Sequence, residues 1–370
     1  LSVVSIQPCD DYTPASVERA VRLALADLGG MNRFVSEGQR VHVKPNLLSA
    51  KPPERAITTH PTVTAIVVKI AMENGAIVAI GDSPGGAVKG VARALEQTGT
   101  RQAAIDVGAE IANFETGGVV PRKGRDRTFQ VLRHIAEADA WISVPKLKTH
   151  VLTRMTGAVK NTFGVIPGLR KSEYHKEAPT QKEFSSLIVD LYSVAKPNLI
   201  VMDAVVAMEG DGPASGDPRY VGFIIASDDA VAIDAVCARI MGLKPDEVLT
   251  TTFGAERGLG ISDLSKIEVV GCNLERAVVS DFVLPSNRAR FIPGPVAKLL
   301  APLLWVKPAI NRELCINCNM CVDSCPTEAL HKAKPYPYFT YDDCIKCLCC
   351  HELCPERAVY LAKSWLASRL

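Results

Sequence analysis

Short runs of β-branched and other apolar residues recur along most of the chain. Each is followed by a polar or glycine-rich turn and then by a segment whose apolar positions fall on one helical face. That alternation is the pattern of an α/β layer, in which helices cover a sheet whose strands are apolar on both faces. The spacing predicts strands over 40–43, 76–80, 140–144, 198–202, 221–226 and 266–270, mostly parallel. Helices are predicted over 16–28, 62–74, 89–98, 129–136, 182–193 and 230–241. Thr180 followed by Glu183 predicts a capping box at the fifth helix, since each side chain can satisfy the other residue's free backbone N–H. The pattern breaks between 285 and 308, where five prolines interrupt a segment carrying Leu299, Leu300, Leu303, Leu304 and Trp305.

This break divides the chain into an α/β domain over 1–284, a proline-rich apolar linker over 285–311, a cysteine-rich module over 312–360 and a tail over 361–370. The length, 370 residues with 47% apolar composition, agrees with one large core and a small module. The 42 basic and 40 acidic side chains leave a formal charge of +2, which excludes a highly basic nucleic-acid binder or a charged disordered chain. Neither a recognition motif nor aromatic platforms for nucleic acid are evident, so no specific nucleic-acid partner is expected. No run reaches the roughly 18 apolar residues of a membrane span, and no basic leader precedes an apolar one. The expectation is a soluble, cytoplasmic protein whose linker is clamped between domains or touches a partner or membrane surface.

Nine of the twelve cysteines lie between Cys315 and Cys354. Cys315, Cys318, Cys321 and Cys325 are followed by Pro326, and the same spacing returns as Cys344, Cys347, Cys350 and Cys354 followed by Pro355. Close thiolates with this spacing can wrap three corners of a cubic [4Fe-4S] cluster. Zinc held by four thiolates is the alternative, and disulfides fit a reducing compartment poorly. The two runs resemble a bacterial two-cluster ferredoxin domain with a small α+β fold. The resemblance implies that Cys315, Cys318, Cys321 and Cys354 hold one cluster, and Cys344, Cys347, Cys350 and Cys325 the other, each passing one electron. Cys349 is an added thiol outside the ligand set. Cys237 and Cys272 are expected to be buried small residues.

In an open parallel sheet, ligands meet the loops that leave the carboxyl ends of the strands. Those positions are polar here. Lys44 and Asn46 follow the first predicted strand, Asp82 and Ser83 the second, and Lys146, Lys148 and His150 the third. Asp203 leads towards Glu209, while Asp228 and Asp229 follow the next strand. Eight Lys or Arg face two Glu over 142–182, a segment that also carries Lys160 and Asn161. Lysines neutralise carboxylate or phosphate, so Lys44, Asn46, Asp82, Ser83, Lys146, Lys148, Lys160 and Asn161 are the candidate binding residues for a small anionic organic molecule. His150, His175, Asp203 and Glu209 are the candidate proton-transfer groups. His42, inside a strand, is expected to be a packed or surface histidine, whereas His60 is a further titratable group. Asp203, Glu209, Asp211 and Asp217 could serve a divalent metal through oxygen ligands. Flavin is the other cofactor the α/β domain could hold, because flavin sites have less uniform sequences. Walker, Gly-x-Gly-x-x-Gly, Gly-x-Ser-x-Gly and His-Glu-x-x-His motifs are missing.

The strings VKPNLL, GDSPGG, PKLKTH, GAVKNTFGVIPG and MDAVVAMEGDGPASGDPR resemble the DUF362 family, a domain of unknown function often joined to a ferredoxin module. That resemblance implies an iron-sulfur protein and carries no catalytic roles with it. The expected function is an oxidoreductase that couples one-electron transfer with a redox protein to chemistry on a small anion. The alternatives are a noncatalytic electron-transfer adaptor and a phosphate-ligand-binding enzyme with structural or regulatory clusters.

Overall fold

A computed structural model describes residues 1–85, 90–112, 114, 117–285 and 305–365. Most of the predicted linker therefore lies outside the described residues, as do Gly86 and the end of the tail. The first domain is built on one ten-stranded sheet. Its strands are β1 (Ser2–Pro8), β2 (Arg40–Pro45), β3 (Ile77–Ile80) and β4 (Glu110–Ile111). After a separate hairpin of β5 (Val119–Lys123) and β6 (Thr128–Leu132) come β7 (Ala140–Val144), β8 (Lys146–His150) and β9 (Arg154–Thr156). The sheet is completed by β10 (Leu199–Glu209), β11 (Asp217–Ser227) and β12 (Ile267–Gly271).

The order along the sheet is β12, β1, β11, β10, β7, β2, β3, β4, with β8 also paired to β10 and β9 to β8. From β10 to β4 the pairing is parallel, and β11 runs antiparallel to both β10 and β1. The sheet is largely parallel, as the spacing predicts, with two antiparallel hairpins, β10–β11 and the short β8–β9. Residues alternate between its faces. Trp141, Ile200 and Met202 pack into the core formed with the helices Gln181–Val194 and Ala230–Ile240. Ile142, Leu199 and Val201 pack opposite them, beneath the helices Pro14–Asp27 and Pro61–Glu73. The capping box is present: Thr180 Oγ1 accepts from Glu183 N at 3.2 Å, and Glu183 Oε2 accepts from Thr180 N at 3.1 Å.

The predicted helix over 129–136 is corrected to strand β6 followed by one helical turn, Arg133–Ala136. Phe129 and Val131 alternate into the core while Thr128 stays exposed, a two-residue period that pairing with β5 makes decisive. The segment after β7, expected to be a loop, is also a strand. Cys237 is buried as expected, but Cys272, at the open end of β12, is only half-buried. Asp228 and Asp229 leave the predicted rim because β11 runs antiparallel, which carries its carboxyl end to the opposite edge. There Asp229 caps the helix Ala230–Ile240, and Asp228 pairs with Arg33 at 2.6 Å.

In the cysteine-rich module, the strands Val306–Ile310 and Val359–Lys363 pair antiparallel, as do Leu330–His331 and Tyr338–Phe339. Two short helices, Met320–Asp323 and Cys349–Leu353, each follow one cysteine loop. The outer strand pair begins and ends outside 312–360. Leu348, Val306 and Leu361 bury against Val151 of the first domain, and Arg357 pairs with Asp217 at 3.2 Å and with the Gly216 carbonyl. Among the described residues no helix is long and apolar enough to cross a membrane.

Candidate functional site

The carboxyl ends of β2 and β3 deliver Lys44 and Asp82 to one buried point. Lys44 Nζ lies 2.8 Å from Asp82 Oδ1 and donates to Asn161 Oδ1 at 3.1 Å. Asp82 Oδ2 accepts from Leu47 N at 2.7 Å, so both carboxylate oxygens are engaged. Asn161 donates to Ser143 Oγ at 2.9 Å and accepts from Asn46 Nδ2 at 3.3 Å. Asn46 Oδ1 in turn accepts from Lys148 Nζ at 2.7 Å. Lys148 makes its other hydrogen bond to Ile57 O at 2.7 Å; burial, reinforced by Lys160, pushes its pKa well below the usual lysine range. A β-carbon at Gly164 would overlap the Asp82 carboxylate and the Lys44 ammonium, so the backbone can close over the pair only with glycine there. Gly164→Ala is expected to cost about 1–3 kcal/mol in chemical denaturation through this overpacking.

A second pair lies deeper. Lys146 Nζ donates to Asp203 Oδ2 at 2.9 Å and to Tyr12 OH at 2.8 Å, while Tyr12 OH donates to Asp203 Oδ1 at 2.8 Å. His60 N donates to Asp203 Oδ2 at 2.9 Å, and the His60 ring stacks on Tyr12 with centroids 3.7 Å apart. Lys146, Lys148 and His150 alternate along β8 and so share one face, and the strand is buried on both faces.

Between the two domains is a cavity of about 550 Å³. Lys44, Asn46, Asp82, Ser83, Lys160 and Asn161 line it from the first domain, joined by Lys171 and His175 of the helix Gly168–Glu177. The helix Cys349–Leu353 forms the facing wall through Cys349, Glu352 and Leu353. Lys160 Nζ lies over Phe163 and Phe184, at 5.7 Å and 5.8 Å from their centroids. Lys171 Nζ donates to the Ser83 carbonyl, and burial lowers its pKa to about 7, with Asp82 opposing the shift and Lys44 and Lys160 adding to it. His175 stacks on Phe184 at 4.2 Å, and burial lowers its pKa to about 3. Thr156 Oγ1, His175 Nδ1 and Glu352 Oε1 are buried on these walls without a hydrogen-bond partner among the described residues.

The other expected site residues lie elsewhere. Lys146, Lys148 and Asp203 sit behind the lining. His150 is also behind it; its Nδ1 accepts from Leu152 N at 3.0 Å, and its Nε2 lies 3.3 Å from Glu352 Oε1 without hydrogen-bond alignment. Burial holds His150 well below the usual histidine range, so neither His150 nor His175 is a cationic acid near neutrality. Glu209 lies outside the cavity, accepting from Val283 N at 3.0 Å and 3.7 Å from Arg219. The four carboxylates considered for a divalent metal do not converge: Asp203 holds Lys146, Glu209 faces Arg219 and Asp217 pairs with Arg357. Among the described residues no three or more His, Cys, Asp or Glu converge on a single metal ion.

In the second domain, Cys315, Cys318, Cys321 and Cys354 line one small hollow. Cys350 is surrounded instead by Cys347, Cys321, Cys344 and Cys325, whose charges add to burial in raising its thiol pKa. The two loops share their backbone form, with left-handed residues at Asn317 and Asn319 in one and Lys346 and Leu348 in the other. Cys354 Sγ accepts from Ala358 N at 3.2 Å. Soft thiol donors gathered by such loops, one of them accepting a backbone N–H at sulfur, fit an iron-sulfur cluster.

Residues 41–239 match the family described as domain of unknown function (DUF362). The chain belongs to the DUF362 family. Residues 308–331 match the 4Fe-4S binding domain, so this DUF362 protein carries an iron-sulfur domain of that type. It is 35% identical over 261 residues to the thylakoid-associated protein sll1697 of Synechocystis sp., covering 70% of this chain and 80% of the relative. The lactate racemase apoprotein from Thermoanaerobacterium thermosaccharolyticum aligns in structure with a TM-score of 0.39 at 13% identity, over 65% of this chain and 57% of the racemase, less than two thirds of it.

Several lining residues of the DUF362 protein escape sequence reasoning. Lys171 stands in the basic segment but carries no motif, and Glu352 is masked by the cysteines around it. The signal for Glu352 is its position inside the second cysteine run, where an acidic residue on a helical turn must face either solvent or the other domain.

Proposed function

We propose that this protein is an iron-sulfur oxidoreductase that binds two [4Fe-4S] clusters and acts on a small anionic substrate held between its domains. The observation that carries this reading is the shared wall: Lys160 and Lys171 face the helix Cys349–Leu353, which contains Cys350 and directly precedes Cys354. Cys315, Cys318, Cys321 and Cys354 would hold one cluster, and Cys344, Cys347, Cys350 and Cys325 the other. When bound, such clusters supply single-electron exchange with a partner redox protein. The chain's own residues do the rest. Lys160 binds an anionic oxygen of the substrate, with Asn161 and the Lys44–Asp82 pair supporting the wall behind it. Phe163 and Leu353 exclude water, which strengthens the lysine's pull. Lys171 Nζ, whose pKa of about 7 leaves it poised between charge states, holds or gives up the proton that accompanies electron transfer. His175, neutral, contributes hydrogen bonding only.

This assignment sets a pH dependence. Lys171 is charged below about pH 7 and loses its proton above it. A bound anion raises that pKa, so affinity is full below about 7 and falls as pH rises from the free to the ligand-bound value. Isothermal titration of a small carboxylate is expected to weaken about threefold to tenfold across that interval, and Lys171→Met is expected to flatten the profile. A wild-type affinity that does not change with pH would contradict the role of Lys171. Intact clusters without anion binding would favour an electron-transfer adaptor instead.

A further inference from the structure

The cavity walls largely neutralise themselves. Lys44 faces Asp82 at 2.8 Å, Lys51 lies 3.8 Å from Glu356, and Asp323 is 2.8 Å from Lys332. What remains inside is two lysines, Lys160 and Lys171, facing one carboxyl group, Glu352, while Arg93 is exposed to solvent. With all three ionised, as Lys171 is below about pH 7, the enclosed excess is a single positive charge. One negative charge on a ligand balances it; a phosphate dianion or a polyphosphate would put uncompensated negative charge opposite Glu352, in a place where charge is poorly solvated. Two orphaned polar groups share the lysine wall: among the described residues, Thr156 Oγ1 and His175 Nδ1, in side chains 2% and 4% exposed, have no hydrogen-bond partner. Buried polar groups are ordinarily satisfied, so these two await the polar head of a ligand.

A carboxylate fills only a small part of about 550 Å³. Much of the rest is bounded by Leu47, Leu48, Phe163, Met320 and Leu353. Pockets of this size and lining take ligands with an apolar body and a few polar anchors. We infer, on the footing that this cavity is the anion site proposed above, that its ligand is an amphipathic monocarboxylate. Its head group lies on Lys160, Lys171 and Thr156, and its apolar chain runs along the leucine and methionine wall.

The test uses the full-length protein, purified anaerobically, with iron and sulfide measured on the same sample. Isothermal titration compares butanoate, hexanoate and octanoate with octanamide and with inorganic phosphate. Affinity is expected to rise about two- to fourfold per added methylene. Octanoate is expected to bind at least about tenfold more tightly than either octanamide or phosphate. Lys160→Gln should weaken octanoate about tenfold, and Leu48→Ser should reduce the gain in affinity per added methylene. Phosphate binding as tightly as octanoate, affinity independent of chain length, or an octanoate affinity untouched by Lys160→Gln would overturn the ligand class. Should iron and sulfide be present while no monocarboxylate binds, the ligand class alone fails. Should octanoate bind to protein lacking iron and sulfide, the redox reading fails and the ligand class stands.

Discussion

Lys146→Met should lower the stability of the folded protein by about 3–5 kcal/mol, the usual consequence of leaving one member of a buried ion pair unpaired. Asp203, which is fully buried, would keep the hydrogen bonds from Tyr12 OH and His60 N but lose its only cationic partner among the described residues. The sequence places Lys146 beside Lys160 in one basic segment and suggests one role for both. The structure separates them, since Lys146 is used up within the first domain and Lys160 faces the cavity. Denaturant unfolding should therefore shift strongly for Lys146→Met while octanoate affinity stays within about twofold, and Lys160→Gln should do the reverse. A stability loss below about 1 kcal/mol for Lys146→Met would mean that the pair is solvated or replaceable. Adding Asp203→Asn should recover part of the loss, because the stranded charge is then removed.

The cysteine variants should have the next largest effect. If the fourth cysteine of each run serves the other run's cluster, Cys354→Ser should weaken the cluster of Cys315, Cys318 and Cys321, and Cys325→Ser that of Cys344, Cys347 and Cys350. Each is expected to remove roughly half the iron and to lower stability, because metal-binding free energy is folding free energy in so small a module. The two should differ in one respect. Cys325→Ser disturbs the set that includes Cys350, which lies on the helix forming the cavity wall, so it should also weaken anion binding; Cys354→Ser should do so less. Iron analysis with electron paramagnetic resonance of the reduced variants checks the assignment. Equal loss of both signals in either variant would contradict the crossed pattern.

Much of the first domain is legible because burial on both faces writes continuous apolar runs, and β2, β3, β7 and β12 fall where such runs stand. β10 and β11 extend well past their apolar segments because they pair along a long hairpin, information that resides in the partner strand. β8 is illegible for a physical reason. Its lysines and histidine alternate as in a half-exposed strand, yet the face they mark is turned to Asp203, Asn46 and Glu352 and away from water. Polarity along a strand reports a face, and only the fold decides what that face meets. The same limit applies to the candidate site. Lys44, Asn46, Asp82 and Ser83 are found together because strand ends converge in a parallel sheet, and the helical turn Ala158–Asn161 brings Lys160 and Asn161 to them. Asp228 is not among them because its strand is reversed, and Glu352 enters only through the contact between domains, which its place in the cysteine run leaves open between solvent and the first domain. The cysteine runs are the opposite case, since their spacing is itself the chemistry.

The measurement that bears most directly on the account is iron and acid-labile sulfide per chain in protein prepared without oxygen, taken with its metal content. About eight of each, with no stoichiometric zinc, is the predicted result for two cubic clusters. About four of each would leave one run of cysteines without a cluster, and zinc without sulfide would remove the electron-transfer function altogether.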